Sequence, residues 1–115
     1  MFRDIHKVII KSLSEATKID TVEWKRGSSP TSFLWENGEL GILIDSYKTK
    51  ADNLITVCFE LAILKNKSVD EDIVVCDAEG MKDDYGLLRD FYQLVQSKFY
   101  ENNDNEITKI ISKIS

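Results

Sequence analysis

Five bulky apolar residues, Ile55, Val57, Phe59, Leu61 and Ile63, stand at every second position, with Thr56, Cys58, Glu60 and Ala62 between them. Only a β-strand sends alternate side chains to opposite faces, so this run commits the chain to a sheet with one face buried. The spacing predicts a long strand over residues 54–64, and the neighbouring segments must supply its partners.

Ser32 to Ile44 holds two apolar runs on either side of Asn37-Gly38. That dipeptide is a strong signal for a tight hairpin, because a type I′ turn needs positive φ at both central residues. With Asn37 and Gly38 as the turn, Glu36 pairs with Glu39, Trp35 with Leu40 and Phe33 with Ile42. Phe33, Trp35, Leu40, Ile42 and Ile44 then share the core face, while Leu34 and Leu43 point the other way and leave the second face partly apolar. Asp45 to Asn53 is polar and turn-like, and Lys65 to Asp72 reads as a charged loop before a shorter strand at Ile73-Val74-Val75-Cys76. Val22 and Trp24 alternate with Glu23 and Lys25 in a short strand that ends at the turn formers Arg26-Gly27-Ser28-Ser29-Pro30.

The flanks carry the helical period instead. Phe2, Ile5, Val8, Ile9, Leu13 and Ala16 recur at three- and four-residue steps, opposite Arg3, Lys7, Lys11, Ser14 and Lys18, which predicts an amphipathic helix over residues 2–18. Asp83 or Asp84 can cap a second helix with the stripe Leu87, Leu88, Phe91, Leu94, Val95 and Phe99. Glu101 to Asn105 is expected to break it. Asn103 with Glu106 three residues later resembles a capping box, and Ile107, Ile110, Ile111 and Ile114 give the stripe of a short terminal helix. Strands segregated from helices favour an α+β fold over a doubly wound one. The expectation is a single α+β domain over residues 1–115, an antiparallel β-sheet of about five strands with one N-terminal helix and two C-terminal helices.

The 115 residues, 43% hydrophobic and 30% charged, suffice for one core and are too apolar for disorder. Cys58 and Cys76 lack the spacing of a zinc or redox motif, so they are expected to be reduced thiols acting as small hydrophobes, with a bridge between neighbouring strands as the lesser alternative. Charged residues interrupt the N-terminus as they would not in a signal peptide, and no apolar run is long enough to span a bilayer, so no membrane association is expected and cytoplasmic residence is the default.

Catalytic signatures are missing from the pattern. The single histidine, His6, falls among charged neighbours on the first helix and is expected at its surface, which leaves no base for a serine or cysteine nucleophile. Asp70-Glu71-Asp72 and Asp104-Asn105-Glu106 lack the glycine and ligand ladder of a calcium loop, so no metal or other cofactor is expected. Glu39, Asp45, Glu60 and Lys65 lie in or beside strands, as acidic nuclease residues do, but at spacings that match no such motif. Arg26-Gly27-Ser28-Ser29 precedes a strand and no Walker lysine, so it reads as a plain turn rather than a phosphate cradle.

Charge gives the one functional pointer. The net charge is −5 and the pI about 4.9, which argues against direct nucleic-acid binding, because that relies on basic surface. Residues 70–90 hold eight carboxylates, Asp70, Glu71, Asp72, Asp77, Glu79, Asp83, Asp84 and Asp90, against Lys82 and Arg89, a net of −6 that leaves the other 94 residues at +1. The ordinary reading is a solvated face with acidic residues at a helix start. The functional reading is a surface that steers a basic partner, with Tyr85 and Tyr92 as amphipathic anchors. The sequence therefore points to a non-enzymatic, small acidic binding protein, an inhibitor or immunity-type protein that neutralises a basic partner such as a toxin nuclease. A secretion chaperone with an apolar groove, working as a dimer, and a nucleic-acid mimic of phage defence or counter-defence are the alternatives. An enzyme of the nuclease type is the least favoured class.

Overall fold

A computed structural model describes residues 2–77 and 81–114. Seven elements follow one another: α1 (Asp4–Lys18), β1 (Lys25–Arg26), β2 (Phe33–Asn37), β3 (Leu40–Ala51), β4 (Leu54–Lys65), β5 (Ser68–Cys76) and α2 (Lys82–Ile114). The strands form one antiparallel sheet in the order β1-β2-β3-β4-β5, a meander in which every connection joins neighbours. The α+β class and the five-stranded antiparallel sheet agree with the sequence; the helix count does not.

Two-residue turns set the register. The β3–β4 turn is Asp52-Asn53 at φ 50° and 65°, and the β4–β5 turn is Asn66-Lys67 at φ 53° and 67°, both with the positive φ pair of a type I′ turn. The segments read as polar loops, Asp45 to Asn53 and Lys65 to Asp72, are therefore mostly strand outside their two-residue turns, and residues 47–51 and 68–70 are mostly polar because both faces of the ribbon are exposed there. At the β2–β3 turn the loop is Gly38-Glu39 rather than Asn37-Gly38, with Gly38 at φ 63° in the first position, as in a type II′ turn. Trp35 pairs with Ile42 and Phe33 with Ile44, a slip of two residues from the predicted register. A slip of two preserves the pleat, so Phe33, Trp35, Ile42 and Ile44 still share a face, and only Leu40 drifts outward to 38% exposure.

Both helices lie on that face. Phe33, Ile42, Ile44, Phe59, Leu61, Ile63 and Val75 meet Ile10 and Leu13 of α1 and Leu88, Phe91, Tyr92 and Val95 of α2 in one core. The start of α1 sits by β5, where His6 approaches Glu71, while α2 begins over β4, with Tyr85 on the Phe59 ring, and ends its sheet contact at Phe33 and Arg26 of β2 and β1. Trp24 caps the helix–helix seam, its ring edge-on to Phe91 and its indole N–H donating to Thr17 Oγ1 at 3.0 Å.

Three further expectations are corrected. The second and third predicted helices are one 33-residue helix. Asn and Asp at 102–105 cost less than about 1 kcal/mol each once a helix is nucleated, whereas a new helix pays nucleation again. His6 is buried rather than exposed: its Nδ1 accepts the Arg3 backbone N–H at 3.0 Å and its Nε2 lies 3.4 Å from Glu71. Cys58 and Cys76 face each other across β4 and β5 and form a disulfide. Disulfides form and persist in oxidising compartments, so the bond gives the expected cytoplasmic residence no support. Among the described residues no helix is long and apolar enough to cross a membrane.

Candidate binding surface

Strand alternation gives the sheet a second face, opposite the helices. It carries Leu34 of β2, Leu43 of β3, Ala62 and Leu64 of β4 and Val74 of β5, all of them partly or fully buried by their neighbours. Set among them are Asp45, Glu60 and Asp72, one from each of three successive strands. Asp45 pairs directly with Glu60, and Asp72 pairs with Ala62, diagonal to Glu60. Like charges at directly opposed positions destabilise a sheet, so this arrangement costs the fold something.

Part of that cost is met locally. Asp45 accepts hydrogen bonds from the Thr31 hydroxyl at 2.6 Å, the Ser29 hydroxyl at 3.1 Å and the Ser46 backbone N–H at 2.7 Å. The β1–β2 loop that supplies them is tied by Ser32, which takes the Ser29 N–H and returns its own hydroxyl to the Ser29 carbonyl. Gly27 closes the loop where no Cβ fits, since one would lie 2.2 Å from Ser32 Oγ. Among the described residues Glu60 has no such donors. Burial, a hydrogen bond with Asp72 and the charges of Asp72 and Asp45 push its carboxyl up to about 7, so it carries a proton for much of its time near neutrality. Burial and the same carboxylates also raise the Tyr47 phenol, which sits diagonal to Glu60 on β3.

The predicted acidic segment is divided by the fold. Glu71 points to the helix side, where Arg3 and His6 bind it and the Arg3 guanidinium holds its carboxyl below the usual range. Asp72 points to the open face. Asp70, beside the bulge that follows Ile63, is exposed and 3.5 Å from Lys65. Asp77 is exposed at the end of β5, and Glu79 lies outside the described residues. Asp83 is exposed in the first turn of α2, while Asp84 accepts the Phe2 backbone N–H at 2.9 Å. Asp90 is exposed next to Arg89, at 3.1 Å.

The two tyrosines serve the core. Tyr85 packs on Phe59, and Tyr92, 4% exposed, donates its hydroxyl to the Thr31 carbonyl. Of the nine described residues among the ten singled out, only Asp72 joins the open-face cluster. Asp45 and Glu60 complete it, and the signal for them was the Asp52-Asn53 pair: read as a type I′ turn, it fixes Asp45 opposite Glu60. Glu39 and Lys65 lie at the far end of the same ladder, where Lys65 pairs with Leu40. Among the described residues no group of three or more His, Cys, Asp or Glu is arranged to hold a metal ion. No known protein family, curated protein or solved structure matches the chain.

Proposed function

We propose that this protein is a non-enzymatic acidic binding protein, an inhibitor or immunity-type protein, that neutralises a basic partner such as a toxin nuclease through its helix-free sheet face. One observation carries the reading: Asp45, Glu60 and Asp72 are gathered on three adjacent strands at a cost to the sheet that a partner's lysine or arginine would relieve. The surrounding Leu34, Leu43, Leu64 and Val74 supply apolar contact around the charges, the composition of a binding surface with a polar focus. The net charge of −5 steers a cationic partner from a distance. Asp70, exposed at the β-bulge, extends the acidic border along β5.

The test is affinity capture from the source cells with the whole chain and with an Asp45→Asn, Glu60→Gln, Asp72→Asn variant, at low and at high ionic strength. The proposal expects one basic protein retained near one-to-one by the wild type at low salt, weakened by salt and lost with the variant. Equal retention by both chains would overturn it. Retention indifferent to salt would favour an apolar secretion-chaperone surface instead.

A further inference from the structure

Beyond Tyr100, whose hydroxyl and ring meet Arg26 of β1, α2 runs clear of the sheet. Every residue from 101 to 114 is exposed. Ile107, Ile110, Ile111 and Ile114 are 46%, 54%, 59% and 80% exposed, and their spacing of i, i+3, i+4 and i+7 sets them on one side of the helix. Asn102, Asn103, Asn105, Thr108 and the isoleucines themselves are poor helix formers. A helix end of this composition draws its stability from packing of its apolar face.

We propose that this stripe packs against the same stripe of a second copy of the chain, as an antiparallel helix pair about a two-fold axis. Read as coiled-coil positions, Ile107 and Ile114 take one seam row and Asn103 and Ile110 the other. In the antiparallel pair Ile107 meets the partner's Ile110, and Ile114 meets the partner's Asn103. Glu106 then flanks the partner's Lys113, and by symmetry Lys113 flanks the partner's Glu106, which gives two opposite-charge contacts. In a parallel pair Glu106 faces the partner's Ile111 and neither contact forms. The charge pattern therefore selects both the occupant and its direction.

A cleft of about 280 Å³ opens beside Asn103, walled by Val22, Trp24 and Phe99, where the partner's Ile114 arrives. The seam is thus continuous with a cleft of the body whose apolar walls are interspersed with Asp20, Glu23 and Lys98. Eight isoleucines cannot supply the area of roughly 2,000 Å² or more that an obligate dimer buries, so the association is reversible and concentration-dependent.

Sedimentation equilibrium of the intact chain over a wide concentration range tests this. The wild type is expected to pass from monomer to dimer as concentration rises. Ile110→Asp should remain monomeric throughout with an unchanged melting temperature in dilute solution, because that side chain is more than half exposed in the monomer and outside its core. Glu106→Lys and Lys113→Glu should each weaken the dimer, and the two together should restore it. A wild type that stays monomeric, a dimer that survives Ile110→Asp, or a double reversal no better than either single one would overturn the proposal.

Discussion

Phe59 holds the centre of the core from the middle of β4, 5% exposed, with its ring 5.5 Å from that of Tyr85 and 5.4 Å from that of Tyr92. Phe59→Ala removes a large apolar volume that the two tyrosines cannot refill, since the Tyr92 hydroxyl is anchored on Thr31. The expected loss is about 3–5 kcal/mol, read from the chemical denaturation midpoint, and a midpoint near wild type would mean that the sheet packs otherwise. Glu60 makes a prediction of opposite character. Its folded carboxyl is raised from 4.5 to about 7, so the folded state binds more protons than the unfolded one between those values. Its contribution to stability therefore falls as pH rises through that window, and the penalty is complete above about pH 7. Glu71, lowered by Arg3, has the reverse sign: it stabilises above its unfolded value and that gain is lost on acidification. Comparing melting temperatures of wild type and Glu60→Gln isolates the first effect. The variant should gain on the wild type between pH 5 and pH 8, and a constant difference would place Glu60 in ordinary solvent. The sequence made Phe59 legible because alternation alone identifies a core strand. It could not make His6 legible, because its burial depends on the distant Glu71 and on the Phe2 ring packed edge-on against it.

At the scale of elements, the turns decide what the strands can do. Lys67 sits at φ 67° in the β4–β5 turn, a left-handed conformation that a side chain with a Cβ adopts at a cost. Lys67→Gly installs the Asn-Gly dipeptide that type I′ turns prefer, and should raise stability by about 0.5–1 kcal/mol in denaturant unfolding. Destabilisation instead would show that Lys67 contributes a contact worth more than its backbone strain. The Cys58–Cys76 bond ties the same two strands at their other end, between cysteines 18 positions apart in the sequence. Replacing both by alanine should lower the stability of the oxidised protein by about 2–4 kcal/mol, mostly by freeing the unfolded chain, and an unchanged midpoint would mean that the thiols are reduced in solution. The hairpins were legible as pairs of apolar runs, but their lengths were not. Lys48, Thr49 and Lys50 look like loop residues because the β3–β4 ribbon is exposed there on both faces, and burial rather than pairing is what leaves a period-two trace in sequence. The same logic explains α2, whose polar stretch at 101–105 marks the point where it leaves the sheet rather than the point where it ends.

On the scale of the whole molecule, the acidic charge is redistributed by the pleat. Residues 70–90 are adjacent in sequence, yet Glu71 turns inward to Arg3, Asp72 turns to the open face, and Asp83 to Asp90 ride on a helix lying across the other side. The cluster that forms instead joins positions 45, 60 and 72, a set that becomes visible only once every turn is assigned, because each turn shifts which carboxylates stand opposite each other. This geometry makes the proposed partner's binding proton-linked. A lysine or arginine seated over Asp45, Glu60 and Asp72 favours the ionised form of Glu60, so the carboxyl that holds its proton up to about pH 7 in the free protein must release it on binding. Near pH 6 most of the free protein carries that proton and must surrender it, whereas at pH 8 almost none does. Affinity should accordingly rise about tenfold from pH 6 to pH 8, and calorimetry at pH 6.5 in buffers of different ionisation enthalpy should register about three-quarters of a proton released per complex. Glu60→Gln should abolish both effects. Lys7→Glu, Lys11→Glu and Lys18→Glu on α1, remote from the open face, should leave both intact and make association no slower. A pH-independent affinity, or the same pH dependence in Glu60→Gln, would show that the partner binds elsewhere and that the three carboxylates are not its contact.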